Sequence, residues 1–152
     1  MVKSRFRSRS EHVLDTKGRL NFPARFREVL RQQGPEILMI APWKTHLRGY
    51  LIAEWESLET KLLTEGADFL GTELFVRYVI GGVVDVNLDK QGRIALPLDL
   101  RNDVGLDREV VVTGMVNWFE IWDKELWAAE KQAIKDNFGT LKKDSLTKIG
   151  VF

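Results

Sequence analysis

The chain has 152 residues, the span of one ordinary domain, and its 44% hydrophobic and 30% charged residues with a net charge of +1 describe a folded globular protein rather than a disordered or fibrous one. No apolar run is long enough to cross a membrane, and the absence of Cys excludes a disulfide framework, a thiolate nucleophile and a Cys-based metal site. The opening MVKSRFRSRS is basic with no apolar stretch behind it, so it does not read as a secretory signal, and a cytoplasmic address fits.

Extended chain is expected over 10–14, then a turn at Asp15-Thr16-Lys17-Gly18. Arg19-Leu20-Asn21-Phe22 alternates, placing Leu20 and Phe22 on one face and Arg19 and Asn21 on the other. Turn residues between two such runs predict a β-hairpin, with Gly18 free to take positive φ. Pro23 suits the first position of a helix, Phe26, Val29 and Leu30 recur at helical spacing, and Gly34 can end that helix. Residues 36–41 (EILMIA) read as a buried strand and 49–53 (GYLIA) as its partner. Residues 54–65 read as a helix with Trp55, Leu58, Leu62 and Leu63 on one side, and 72–80 as a short linking helix broken by Gly81-Gly82.

The plan then repeats. A strand is expected over 83–88, a turn over 89–92, inward-facing Ile94 and Leu96, and a helix begun by Pro97 that carries Leu98, Leu100 and Val104 and ends at Gly105. Residues 109–113 and 118–122 form the next strand pair, and Asp123 is a good N-cap for a helix from Lys124 to about Ala133, with Trp127 and Ile134 as apolar positions. The tail after Phe138 is polar and Lys-rich. LDTKGRLNFPARFREVL (14–30) and LDKQGRIALPLDLRNDV (88–104) share Leu, Asp, Gly, Arg and Pro at matching places, and Arg27 recurs as Arg101. Units of about 45 residues seldom bury enough apolar surface to stand alone. Two matching units on one chain therefore predict an α+β fold with internal pseudo-twofold symmetry around one shared core.

Charge is unevenly spread. Residues 1–35 hold nine bases (Lys3, Arg5, Arg7, Arg9, Lys17, Arg19, Arg25, Arg27, Arg31) against three acids, whereas 36–122 hold eight bases against fourteen acids. The asymmetry suggests a polyanion partner for the basic end, with solubilising surface charge as the alternative. Asp at the start of each turn can accept hydrogen bonds from the backbone two residues on, and the Arg beyond lies within its reach. Two readings of Asp-x-x-Gly-Arg stand: an ion pair that fixes the turn, or an Asp that orients an Arg toward a phosphate or base edge. A turn-fixing pair does not call for Arg over Lys in both copies, whereas planar, bidentate recognition does. His12 and His46 belong to different elements and have no counterpart in the second unit. Clustered metal ligands, a Gly-rich phosphate loop and a Gly-x-Ser-x-Gly elbow are absent from the sequence. No catalytic residue, metal, cofactor or small-molecule substrate is expected. The five Trp read as core or subunit interface rather than base-stacking platforms.

A doubled Asp-x-x-Gly-Arg followed four residues later by Pro resembles the MraZ family, whose halves are SpoVT-AbrB-type domains. Phe6-Arg7, Leu74-Phe75-Val76-Arg77 and Phe119-Glu120-Ile121-Trp122-Asp123 resemble further signatures of that family, and the likeness covers nearly the whole chain. It departs at Ser8, where the family has Gly, in a few extra N-terminal residues that include Lys3 and Arg5, and in a shorter junction at 49–55. The resemblance implies tandem swapped-hairpin (AbrB-like) β-barrel units with peripheral helices. The units fall at 9–54 and 83–126, with a helical linker at 55–82 and a C-terminal helix and tail at 127–152. It also implies a cytoplasmic, nucleoid-associated, ring-forming homo-oligomer without membrane contact. Such a protein binds double-stranded DNA at the promoter of the division and cell-wall gene cluster as a transcriptional regulator, in the repressing sense.

The family's DNA-contacting motif carries onto Asp15 and Arg19, with Lys17 as the basic residue of the first turn. In the second unit it carries onto Asp89 and Arg93, where Gln91 replaces that base and Lys90 stands one position earlier. Arg5, Arg7 and Arg25 are expected to support the first motif. That motif is expected to dominate, because LDTKGR lies in a basic stretch while LDKQGR lies amid Asp85, Asp99 and Asp103. An antitoxin-like protein-binding module and a structural ring without DNA remain as alternatives.

Overall fold

The computed structural model describes residues 5–66, 71–140 and 143–151. In chain order the elements are β1 (Arg9–Val13), β2 (Arg19–Asn21), α1 (Ala24–Gln33), β3 (Ile37–Pro42), β4 (Leu47–Tyr50), α2 (Ile52–Glu65) and α3 (Thr72–Phe75), which runs into a π-helical turn (Val76–Ile80). The second half supplies β5 (Val84–Asn87), β6 (Arg93–Ala95), α4 (Leu98–Asp103), β7 (Glu109–Gly114), β8 (Trp118–Asp123), α5 (Lys124–Asn137) and α6 (Lys143–Lys148). The architecture is α+β: a six-stranded antiparallel sheet in the order β1-β7-β8-β4-β3-β5, a two-stranded ribbon β2-β6, and helices around them.

The expected hairpin over 10–22 does not form. Its turn closes as anticipated: Gly18 N–H donates to Asp15 O at 3.0 Å, Asp15 N–H donates to Arg19 O at 3.0 Å, and Gly18 has φ +76°. Beyond the turn the strands part company. β1 pairs with β7 of the second half, with Glu11 opposite Val111, and β2 pairs with β6. Reciprocally, β5 of the second half pairs with β3 of the first, Val86 lying opposite Leu38. Turn chemistry is local, but the partner of a half-buried strand is set by the core its apolar face can cover. Here that core is common to both halves. Phe6, Phe22 and Phe26 from the first half surround Phe119 from the second, with centroids 5.2–5.6 Å from its ring, and Leu20, Ile94 and Leu96 are buried beside them. Each such side chain contributes about 1.5–3 kcal/mol by leaving water.

Other boundaries move by a residue or two. Pro23 and Pro97 are N-caps with extended ψ (133° and 146°), so each helix starts one residue later than expected. The strand expected at 49–53 is β4, ending at Tyr50, because Trp55 N–H already donates to Leu51 O in the first turn of α2. Leu63 and Leu98 sit on the anticipated apolar stripes yet are 80% and 58% exposed, since among the described residues little packs over those ends of their helices. α5 continues past Ala133 to Asn137, its N-terminus capped by Asp123, which accepts from Glu125 N–H. Trp55 and Trp122 are buried and Trp43, Trp118 and Trp127 half-buried, consistent with packing roles. Among the described residues, no helix is long and apolar enough to cross a membrane.

Candidate nucleic-acid interface

The ribbon β2-β6 presents one buried and one open face. Its register sets Arg19 opposite Ala95, Leu20 opposite Ile94 and Asn21 opposite Arg93. Leu20 and Ile94 point into the core and are at most 1% exposed, so the ribbon is anchored from beneath. The alternation of a strand then turns Arg19, Asn21, Arg93 and Ala95 together to the outside. Leu96 N–H donates to Gly18 O and Phe22 N–H to Gly92 O, which makes Arg19–Ala95 and Asn21–Arg93 the non-hydrogen-bonded pairs, whose side chains stand closest. Arg19 and Arg93 are diagonal neighbours, a relation that spans about 7–8 Å in an antiparallel pair.

Each arginine is braced in the same way. Asp15 Oδ1 accepts from Lys17 N–H (3.0 Å) and Arg19 N–H (2.9 Å), while its Oδ2 accepts from Arg19 Nε at 2.6 Å. Asp89 repeats the pattern with Gln91 N–H, Arg93 N–H and Arg93 Nε, each at 2.9 Å. The Arg19 N–H holds the Asp15 carboxyl below its ordinary value against the opposing push of burial, with help from the Arg19 guanidinium and Lys17 N–H. The Arg93 N–H does the same for Asp89. Both aspartates are thus ionised at neutral pH with both oxygens bonded, and both guanidinium groups are tethered by Nε alone. Among the described residues the terminal nitrogens of Arg19 and Arg93 make no hydrogen bond, and both side chains are partly exposed, which leaves those donors available to a partner. The ion pair of the turn-fixing reading is therefore present in both copies, and the same bonds hold each arginine in place.

Strand exchange adds a basic residue to each end. A Cβ on Gly18 would stand 2.7 Å from Arg101 Nε and from Leu96 O, so Arg101 of the second half lies against the first turn, its Nε donating to Leu96 O at 3.0 Å. Arg27 of the first half lies against Gly92 of the second turn, 3.1 Å from the place of a Cβ, while its Nε and Nη2 grip Glu36 at 2.9 and 3.1 Å. Each turn thus receives an arginine from the other half, Arg101 bound to a backbone oxygen at the first and Arg27 paired with Glu36 at the second. Lys17, Arg19 and Arg101 gather at one end of the ribbon, and Lys90, Arg93 and Arg27 at the other. Arg27 and Arg101 were visible as a recurrence at matching places, the signal that could have put them in the site.

The remaining expected residues lie elsewhere. Arg25 donates to Ser8 Oγ, and with Arg7 and Arg9 it lines a cleft of about 280 Å³ where α1 begins. That is the Phe22 end of β2, the end joined to the second turn rather than to Arg19. Ser8 holds φ +77°, a left-handed backbone at the position where the family resemblance has Gly. Arg5 reaches Asn117 Oδ1 at 3.4 Å, beside the β7–β8 turn, and joins neither motif. His46 stacks on Trp122 and lies 3.2 Å from Glu120, while His12 sits by Ser10 on β1, so the two histidines serve separate elements. Among the described residues, no group of three potential metal ligands occurs.

Residues 6–71 and 79–148 match the family described as "MraZ protein, putative antitoxin-like". The chain is 36% identical over 131 residues to the Transcriptional regulator MraZ of Desulforapulum autotrophicum, covering 86% of this chain and 88% of that protein. It is 37% identical over 138 residues to the protein of that name in Syntrophobacter fumaroxidans (91% and 92% covered), and 36% over 133 residues to the one in Limosilactobacillus reuteri (88% and 92%).

Proposed function

Since the chain belongs to the MraZ family, we propose that it regulates transcription by laying its β2-β6 ribbon against double-stranded DNA. The single observation that carries this reading is the ribbon register, which turns two Asp-braced arginines to one exposed face. A two-stranded ribbon fits the major groove, and Arg is the side chain that reads guanine O6 and N7 through two parallel hydrogen bonds. Lys17, Lys90, Arg101 and the free edge of Arg27 flank that face and supply phosphate contacts. Both motifs contribute, in contrast to the dominance of the first expected from charge along the chain.

The reciprocal pairing of β1 with β7 and β5 with β3 supports a swapped-hairpin arrangement of two AbrB-like units, at 9–54 and 83–126. A single ribbon of this size binds weakly. Assembly of several subunits into a homo-oligomeric ring would engage successive short repeats and multiply the affinity through effective concentration. The family resemblance directs this activity to repression at the promoter of the division and cell-wall gene cluster, and so to the cytoplasm and nucleoid.

Fluorescence anisotropy with a duplex from the chain's own upstream region, at two salt concentrations, tests the reading. Affinity is expected to fall steeply with salt, by a slope of about −0.9 per phosphate neutralised. Salt-independent or absent binding would favour a protein-binding module or a structural ring instead. Size-exclusion chromatography with light scattering checks the assembly.

A further inference from the structure

The two ends of the ribbon match in their arginines but not between them. On the open face, β2 reads Arg19-x-Asn21 and β6 reads Arg93-x-Ala95, so the position two residues past each arginine is an amide in one strand and a methyl in the other. Asn21 and Ala95 are both exposed. The Asn21 side chain makes no hydrogen bond among the described residues, and it borders a polar cleft lined by Glu11, His12, Val13, Glu109, Val110 and Lys124. Neither side chain is needed by the core, which Leu20 and Ile94 serve from the opposite face.

Resting on the DNA-binding reading above, we propose that Asn21 is a specificity-determining residue that gives the ribbon a direction on DNA. Asn pairs with adenine through N6 and N7, and a small apolar side chain meets the methyl group of thymine. Asn21 stands directly opposite Arg93, and Ala95 directly opposite Arg19. Each end of the ribbon therefore offers a pair of readers: Arg93 with Asn21 at one end, Arg19 with Ala95 at the other. The diagonal of about 7–8 Å between the arginines corresponds to about two base steps of 3.4 Å. A pseudo-twofold ribbon with identical ends would read a self-complementary sequence in both orientations equally. This ribbon reads guanine next to adenine at one end and guanine without that adenine requirement at the other, so its preferred site is not self-complementary.

Selection from a randomised duplex library, with sequencing of the bound fraction, tests this with wild type, Asn21→Ala, and the exchanged pair Asn21→Ala/Ala95→Asn. Wild type is expected to enrich a directional motif. Asn21→Ala should lose the adenine preference at one position, by about tenfold, while keeping its salt-dependent affinity for unselected DNA. The exchanged pair should move the adenine preference beside the other guanine. An unchanged motif from Asn21→Ala, or a palindromic wild-type motif, would overturn this inference and leave the DNA-binding reading standing. Salt-dependent binding without enrichment of any sequence would overturn this inference alone; failure of the wild-type chain to bind DNA at all would overturn both.

Discussion

Arg101 lies against Gly18 so closely that a side chain at Gly18 would stand 2.7 Å from its Nε, although the two residues come from different halves of the chain. The contact explains why the turn needs glycine twice over: for its backbone, at φ +76°, and for the space that the other half's arginine fills. Gly18→Ala should therefore destabilise the fold by about 1–3 kcal/mol, more than a simple turn glycine of the same φ would. Chemical denaturation measures this. A loss below about 0.5 kcal/mol would show that Arg101 and Leu96 give way freely.

The two braced arginines should matter about equally to DNA. Arg19→Ala and Arg93→Ala are each expected to weaken specific binding about tenfold or more, and Arg19→Lys should not restore it, because an ammonium cannot make the paired contacts of a guanidinium. Lys17→Ala should instead lower affinity on all sequences alike and reduce the salt slope by about 1. If Arg93→Ala bound as well as wild type while Arg19→Ala did not, the ribbon would be read from one end only.

Removing the brace should act through the arginine. In Asp15→Asn the amide keeps one acceptor for the Lys17 and Arg19 N–H groups but loses the charge that fixes Arg19 Nε. The expected result is intermediate binding, between wild type and Arg19→Ala, with an unchanged thermal midpoint within a few degrees. Binding as weak as Arg19→Ala together with a large fall in midpoint would assign Asp15 to folding alone.

Acid should weaken the fold in two stages. Burial holds the His12 ring below its ordinary value of 6.5, so the folded chain binds fewer protons there than the unfolded one once the pH drops below that value. Asp15 and Asp89 are held down by the backbone N–H of Arg19 and Arg93, and Glu36 by the Arg27 guanidinium. A depressed carboxyl adds stability that is complete above its unfolded value and disappears as the pH falls through its folded value. Urea midpoints should thus be level above pH 7, decline from about 6.5, and fall further below about 4. His12→Gln should flatten the first decline; a wild-type midpoint constant from pH 7 to 5 would contradict the role given to His12.

Ser8 keeps a left-handed backbone that L-residues adopt at a cost. Ser8→Val should destabilise by about 1–3 kcal/mol, whereas Ser8→Gly should hold or raise the midpoint despite losing the bond from Arg25. Thermal denaturation of both variants decides it, and a Ser8→Val protein as stable as wild type would mean that the fold does not depend on the left-handed backbone at this position.

The turns and their Asp–Arg braces were legible because their chemistry is confined to five consecutive residues. The faces of the ribbon were legible too, since Leu20 and Ile94 alternate with Arg19 and Arg93. Partnership was not. A two-residue period says which side of a strand is apolar, but β1 could cover the core beside β2 or beside β7, and only the shared cluster around Phe119 favours the latter. The same gap misplaced the charges: Arg101 and Arg27 were counted with their sequence neighbours, and the exchange carries each to the opposite turn. Leu63 and Leu98 fit a helical stripe, which records only what a helix could bury, not what lies over it.

The covalent joining of the two halves also changes what mutation can do to them. In a symmetric dimer of short chains, one gene writes both partners, so any change at a ribbon position appears twice and the symmetry survives it. Here each half has its own codons on one chain, and a substitution in one leaves its mate untouched. Asn21 facing Arg93 while Ala95 faces Arg19 is such a difference. The cross-paired strands keep the halves locked as one body, and the single chain lets their surfaces differ, so the shared plan can be kept in the core while the two ends of the ribbon diverge.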